Sequence, residues 1–169
     1  MDLRRMSEKL IIIIDELLSN QNIVNLVGSN SNFPVNKNVD PKTIAPMAKG
    51  QRINVTPFDD DYTDDVRTEI RVYYPEFTFK NNNYVNDSVL IIDIIVHKSI
   101  WLMEANGKKV VRPFHIASEI FDHFRVAERE KFKSENMKKL GKIQFTDGRY
   151  TLVNKEFDSL RLFARLVDF

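Results

Sequence analysis

Ser88-Val-Leu-Ile-Ile-Asp-Ile-Ile-Val-His-Lys-Ser-Ile-Trp-Leu-Met103 is the stretch that decides the fold. It is rich in β-branched residues and contains neither Gly nor Pro, which favours one long extended strand. From Leu90 to Val96 every position except Asp93 is apolar, so we predict a central strand that helices cover on both faces. A lone carboxylate in such a strand needs a polar partner or contact with solvent. Asp93 therefore marks either a functional site or a subunit interface.

The composition limits the classes of protein that this chain can belong to. Its 169 residues predict one domain, which can bury roughly 70% of its unfolded surface. A formal net charge of +1 gives no overall attraction to nucleic acid or to an anionic membrane. With 0 cysteines the chain has no disulfide scaffold, thiol catalysis or zinc–thiolate site. Leu10–Ile14 is too short for a signal peptide, and we expect a soluble protein of the cytoplasm or of a particle assembled there.

The N-terminal half predicts helices followed by strands. The apolar spacing indicates a helix over 3–18, a break over 19–22, a short helix over 23–27 and a long polar loop over 28–50. Strands are predicted over 52–56 and 66–74, and the second is half-buried because apolar and polar residues alternate along it. With an acidic connection between them and a turn over 80–83, these strands and the central one form a predicted antiparallel meander.

The C-terminal half predicts one more helix and three strands. Pro113 suits a first helical turn, and the apolar stripe that follows it fades into a charged helix end over 126–141. Asp147-Gly148 between two short apolar runs predicts a hairpin turn, and a last strand covers 160–169. The fold class is therefore α+β: a single domain over 1–169, with two main helices packed on an antiparallel or mixed β-sheet.

The sequence does not match metal-binding, cofactor-binding or catalytic motifs at the positions that these motifs require. An EF-hand loop that began at Asp59 would have Asp64 and Ile70 in place of the required Gly and Glu, so a solvated tip is favoured. His97, His115 and His123 lack the spacing of a helical zinc pair. We therefore predict no metal, no cofactor and no catalytic residue.

A nuclease-like function is an alternative hypothesis. Asp93 and Lys98, with Glu76 upstream, resemble the carboxylate-and-lysine core of restriction-endonuclease-like enzymes. The position two residues before the lysine, which should hold an acid, is Val96, so the metal-binding part of the motif fails.

The remaining features indicate surfaces rather than chemistry. Mixed charges over 128–142 favour a solvated helix end over a nucleic-acid patch. Trp101 is either a core residue or a hot spot of an assembly interface.

The order of elements resembles the tail terminator and tail-to-head joining proteins of long-tailed bacteriophages. The resemblance rests on four parts of the sequence: Leu17-Leu-Ser-Asn-Gln-Asn-Ile-Val-Asn-Leu-Val27, Gln51-Arg-Ile-Asn-Val-Thr-Pro-Phe58, Glu69-Ile-Arg-Val-Tyr-Tyr-Pro75, and Asp93-Ile-Ile-Val-His-Lys-Ser-Ile-Trp101 with Val111-Arg-Pro-Phe-His-Ile-Ala-Ser-Glu-Ile120. The first is similar to the family's helix, break and second helix, the next two to its first strands, and the last to its long strand, turn and main helix. The resemblance covers about residues 10–169.

The resemblance implies a structural virion protein without catalytic residues. Its subunits would form a ring, typically a hexamer, at the head-proximal end of the tail, which contacts the tail tube protein and the head connector or neck proteins. A neck or head-completion protein shares much of this outline and is the alternative. The expected contact elements are the loop over 28–50 and the acidic tip, and charged loops suit this role because they can order on contact. The predicted interface residues are Asp59, Asp60, Asp61, Asp64, Asp65 and Trp101.

Overall fold

The structure is a computed structural model that describes residues 2–32, 38–57, 65–79, 85–129 and 135–167. Its helices are α1 (Leu3–Ser19), α2 (Gln21–Gly28), α3 (Pro41–Ile44), α4 (Arg112–Arg129) and α5 (Glu135–Leu140). Its strands are β1 (Ile53–Asn54), β2 (Thr68–Tyr73), β3 (Phe77–Phe79), β4 (Val85–Ser88), β5 (Leu90–His97), β6 (Leu102–Ala105), β7 (Lys108–Val111), β8 (Lys142–Leu152) and β9 (Phe157–Val167). A 3₁₀ turn, Lys98–Ile100, follows β5.

The predicted α+β fold with a mixed sheet is confirmed. Five strands are ordered β1-β2-β5-β9-β8, and β3-β4 and β6-β7 form separate two-stranded sheets. β1 runs parallel to β2, whereas the other neighbours in the large sheet are antiparallel. The predicted antiparallel meander is confirmed for β2 and the central strand β5, which are antiparallel neighbours, and is wrong for β1, which runs parallel to β2.

The central strand is confirmed, but it is shorter than predicted. All residues of β5 are buried, and it is the middle strand of the sheet. It ends at His97, whose side chain accepts a hydrogen bond from the Ser99 amide and caps the 3₁₀ turn. The Lys98 amide donates to the Glu156 carbonyl (2.8 Å), which ties the turn to the β8–β9 connection. The predicted single strand to Met103 is therefore wrong, and Leu102 begins a new hairpin.

The helices cover one face of the sheet. Ile92, Ile94 and Leu162 lie on this face and join one core cluster with residues of α1, α2 and α4. The predicted first helix is confirmed, and Asn20 alone breaks it from α2, accepting from the amides of Asn22 and Ile23. In the described residues no single helix is long and apolar enough to cross a membrane, although α1 and α2 taken together, bent by 86°, pass that test by length and composition.

The other face of the sheet is buried and charged. β2 was predicted to be half-buried, which is wrong, because all six of its residues are buried. Glu69, 1% exposed, lies 2.8 Å from Arg67 Nε and 2.5 Å from Arg71 Nη2. The alternation of apolar and charged residues along β2 therefore corresponds to two buried faces, one apolar and one charged. The charged side chains can be buried because they form ion pairs.

The predicted Asp-Gly hairpin is wrong. β8 continues through Asp147 and Gly148, and a register shift between Phe145 and Asp147 absorbs one extra residue as a bulge. Gly148 is not among the glycines with positive φ, so it does not adopt the conformation of a type I′ turn. The chain reverses after Leu152 instead, where Asn154 accepts hydrogen bonds from the amides of Glu156 and Phe157.

Candidate assembly interface

Trp101 lies where the chain leaves the central strand. Its amide donates to the Lys98 carbonyl (3.3 Å), and its own carbonyl accepts from the Arg112 amide (2.8 Å). The indole is half-buried and meets the ring of Tyr150 edge-on, with 5.7 Å between the ring centroids. Trp101 is therefore a packing residue that also reaches the surface.

Exposed apolar side chains surround Trp101. Leu102 is 53% exposed, Tyr150 56% and Leu152 73%, and we call these three residues with Trp101 the Trp101 surface. Tyr150 and Leu152 share a face of β8 because side chains alternate along a strand. A cavity of about 460 Å³ lies between this surface and Asp158. The chain thus leaves large apolar groups in water at one corner of the fold, which is typical of a contact surface.

Tyr150 is held in place by a polar contact. Its hydroxyl donates to Asp158 Oδ2 (2.5 Å), and this hydrogen bond, more than burial, raises the pKa of the phenol. Asp158 also lies 3.7 Å from Lys98 Nζ, which donates to the carbonyls of Asn154 and Lys155. The Trp101 surface is therefore presented on a hydrogen-bonded base.

A second apolar groove continues along the same face of β8. Phe114 and Phe121 of α4 line it above, and Phe145 and Gly148 of β8 line it below, around a volume of about 460 Å³. Phe121 packs on Phe145 with 4.6 Å between centroids, although it is 40% exposed. Gly148 has no side chain to fill the space between α4 and β8 at this point. We call this the α4–β8 groove.

Arg112 fixes the geometry around Trp101. Its guanidinium is fully buried and donates to the carbonyls of Ile100 (3.0 Å), Leu26 (3.1 Å), Ser29 (3.2 Å) and Ser31. Burial lowers its pKa to about 10. The carbonyls at and beyond the C-terminal end of α2 compensate the charge, as expected for a cation at the negative end of a helix. Arg112 thereby joins α2 to the turn that carries Trp101.

Asp93 has the partner that its position required. Arg161 reaches its Oδ2 through Nη2 (2.7 Å) and Nε (3.2 Å), and the Tyr73 hydroxyl lies 3.4 Å from the same oxygen. Burial of Arg161 opposes its charge, but the hydrogen bond and the charge of Asp93 outweigh this and raise the pKa of Arg161. Asp93 and Lys98, which the nuclease reading combines, thus bind different partners.

The histidines take part in local contacts. His97 Nδ1 lies 2.8 Å from Ser99 Oγ, and His123 lies between Glu16 (3.1 Å) and Asn20 (3.3 Å), where it joins α4 to α1. His115 lines a shallow polar pocket. Within the described ranges, no three side chains of the His, Cys, Asp and Glu types are grouped as a metal ion would need.

The predicted interface residues are described only in part. Asp59, Asp60, Asp61 and Asp64 lie outside the described residues, and Asp65 has an 84% exposed side chain 3.9 Å from Arg67. The described part of the loop over 28–50 includes α3, which begins at Pro41 after an Asp40 cap. The described part of the charged region over 126–141 includes α5.

Sequence reasoning missed Leu102, Tyr150, Leu152 and Arg112. A signal existed for Arg112, because a cation is disfavoured at a helix N-terminus, where this residue begins α4. Such a placement indicates a tertiary partner. The exposed residues of β8 gave no distinct signal, since their alternation is that of any half-buried strand.

Fold and site together define an α+β protein that presents apolar surface along one edge of its sheet. Residues 20–166 match the YomW family, and the chain belongs to it. The family is phage-associated, so this is a phage-related protein. No curated protein matches the chain.

Proposed function

We propose that this protein is a structural component of a phage particle that forms a ring, of six subunits, at the head-proximal end of the tail. There it ends polymerisation of the tail tube and joins the tail to the head. Its partners are sister subunits, the tail tube protein and the connector or neck proteins of the head. It acts in the virion after assembly in the host cytoplasm, without catalysis or a cofactor.

The Trp101 surface carries this proposal. Leu102, Tyr150 and Leu152 are each more than half exposed. Leu102 and Tyr150 line one cavity with the half-buried Trp101, and Leu152 lies two residues from Tyr150 on the same face of β8. Burial of a large apolar side chain contributes about 1.5–3 kcal/mol, and aromatic residues dominate interface energetics. A domain with an extensive core of its own gains nothing from this exposure unless another protein covers it.

The structural partners of Asp93 and Lys98 also favour a scaffold role. Asp93 is 1% exposed and bound by Arg161, and Lys98 holds the β8–β9 turn. Both residues therefore contribute to the fold, and neither is assigned to DNA cleavage. A metal-dependent cleavage of DNA by the purified protein, lost in Asp93→Ala, would contradict this assignment.

The first test measures assembly. Leu102→Glu and Leu152→Glu should each weaken ring formation in light scattering, because both place a charge in the buried interface. Val126→Glu on α4 is the matched control, since Val126 is 51% exposed and lies outside the expected contact elements, so its change should leave the mass of the assembly unaltered. Circular dichroism of all three variants reports whether they fold. Equal assembly of the wild type and both Leu variants would remove the Trp101 surface from the interface.

The second test places the ring in the particle. Electron microscopy of phage that lack the gene should show overlong or unjoined tails beside filled heads. Normal tails with leaking or tailless heads would assign the protein to the neck as a head-completion protein. Wholly normal particles would refute both.

A further inference from the structure

The outer edge of β8 is open in the part of the chain that the structure describes. β8 is the last strand of the five-stranded sheet, and among the described residues it pairs only with β9. Most of its 11 residues are exposed and the others are half-buried. Such an edge strand presents a row of unpaired amide and carbonyl groups, so it can accept a further strand.

The sequence of β8 is self-complementary about Gly148. Thr146 is the bulge residue and is left out of the ladder with β9. In the remaining strand, residues at equal distances on the two sides of Gly148 match in chemical type: Asp147 with Arg149, Phe145 with Tyr150, Gln144 with Thr151, and Ile143 with Leu152. Two identical antiparallel strands bring these residues opposite one another when Gly148 lies on the two-fold axis that relates them.

The faces of the sheet agree with this register. Phe145, Gly148 and Tyr150 oppose residues of β9 on the α4 side, whereas Asp147 and Arg149 oppose the residues between them. Each matched pair therefore lies on one face, as cross-strand neighbours must. Phe145 and Tyr150 are five positions apart and would lie on opposite faces of a regular strand, so the bulge is what brings them to the same face.

We infer that two copies of this chain pair through the edges of β8, antiparallel and with the two-fold axis at Gly148. The result is one continuous sheet of ten strands, five from each subunit. The exposed Asp147–Arg149 pair (2.8 Å) then lies beside its twin, so that opposite charges alternate across the axis. Tyr150 is 56% exposed and Leu152 73%, and in the dimer each lies opposite an apolar side chain. Gly148 places no side chain on the axis, where the two backbones approach each other.

The dimer and the proposed ring exclude each other at this edge. Tyr150 and Leu152 belong to the Trp101 surface, so one subunit cannot use them for β8 pairing and for a ring contact at the same time. The dimer is therefore the form of the free chain, and its dissociation releases the Trp101 surface for assembly. This last step rests on the proposed function, whereas the dimer itself rests on β8 alone.

A single cysteine on the axis tests the pairing in the full-length protein. The chain has 0 cysteines, so Gly148→Cys introduces its one thiol. Opposed residues of antiparallel strands have Cα atoms about 4.5–5.5 Å apart, within the range for a disulfide. With oxidised glutathione the variant should convert largely to a covalent dimer in non-reducing electrophoresis. Lys155→Cys is the control: its side chain is 95% exposed, but it lies beyond the end of β8, more than about 27 Å from its twin.

A pair of charge changes tests the register. Gln144→Glu with Thr151→Glu places like charges opposite each other at both ends of the paired strands, and should raise the dissociation constant of the dimer roughly tenfold. Gln144→Glu with Thr151→Lys places opposite charges there, and should keep the constant within roughly threefold of the wild type. Sedimentation equilibrium measures the constants, and circular dichroism reports whether both variants fold.

The outcomes separate the dimer from the ring. A wild-type mass of one chain at about 1 mM, or equal cross-linking of the two cysteine variants, would overturn the dimer. Equal weakening by both charge sets would overturn the register about Gly148. Leu102 lies outside β8, so Leu102→Glu should weaken the ring but leave the Gly148→Cys cross-link intact. Rings that form without this cross-link would overturn the dimer alone, and cross-linked dimers whose wild-type chain never forms rings would overturn the proposed function alone.

Discussion

Arg112→Met should destabilise the fold more than any surface change. The guanidinium donates four hydrogen bonds to backbone carbonyls, and it is fully buried. A hydrogen bond from a charged donor contributes about 1.5–3 kcal/mol, but all four share one desolvated cation, whose burial offsets part of the gain. We therefore expect a loss of about 4 kcal/mol in the free energy of unfolding.

Urea unfolding followed by circular dichroism measures this loss. For a chain of this size the slope is about 2 kcal/mol per molar urea, so the midpoint should fall by about 2 M. Arg125→Met on the same helix is the control: its side chain is 65% exposed and its pair with Asp122 should contribute under about 0.5 kcal/mol. Arg112→Lys should recover less than half of the loss, because one ammonium cannot reach all four carbonyls. If Arg112→Met stayed within about 1 kcal/mol of the wild type, the anchoring role would be refuted.

Three further changes test other parts of the structure. Arg161→Met should cost about 2 kcal/mol in urea unfolding, because it leaves the buried Asp93 without its cation, and Asp93→Asn in the same chain should restore part of the loss. Burial, followed by the charge of Asp93, raises the pKa of Tyr73 above 10.0, so its contribution to stability is complete below that pH and is lost as the pH rises through the folded value. Tyr73→Phe should accordingly flatten the fall in stability as the pH rises above 10.0, and an unchanged slope would contradict this origin. Gly148→Ala should stabilise the fold by about 0.5 kcal/mol and raise the melting temperature by about 1–2 °C, since its Cβ meets only Leu162 at 3.6 Å, whereas Gly107→Ala at φ +72° should lower it.

The sequence predicted what depends on local composition. The apolar run from Leu90 to Val96 could only be a buried strand, and the 3.6-residue spacing after Leu3 and after Pro113 predicted α1 and α4. The requirement that Asp93 have a partner followed from burial alone. Which residue supplies that partner did not, because Arg161 is 68 positions away and pairs with Asp93 only through the register of the sheet.

The errors share a physical cause, since each depends on a neighbour that is distant in sequence. Asp147-Gly148 has the composition of a tight turn, but pairing with β9 keeps it extended and moves the surplus residue into a bulge. Alternation over 66–74 indicated a solvated face, whereas ion pairing of Glu69 with its arginine neighbours keeps that face buried. The turn after His97 depends on the Glu156 carbonyl, which the sequence places almost sixty residues away.

The order of strands has a consequence for how the chain reaches its native state. β5 pairs with β2 over short separations, such as Tyr73 with Ile91, but with β9 only over long ones, such as Leu90 with Ala164. β8 and β9 can pair as a local hairpin, whereas closing the long loop to β5 carries a large entropic cost, and such topologies fold on the millisecond-to-second scale. Docking of the C-terminal hairpin is thus the expected slow step. Until this hairpin docks, one edge of β5, the most apolar strand, remains unpaired. Newly made chains can therefore aggregate through this edge before they fold and meet their partners.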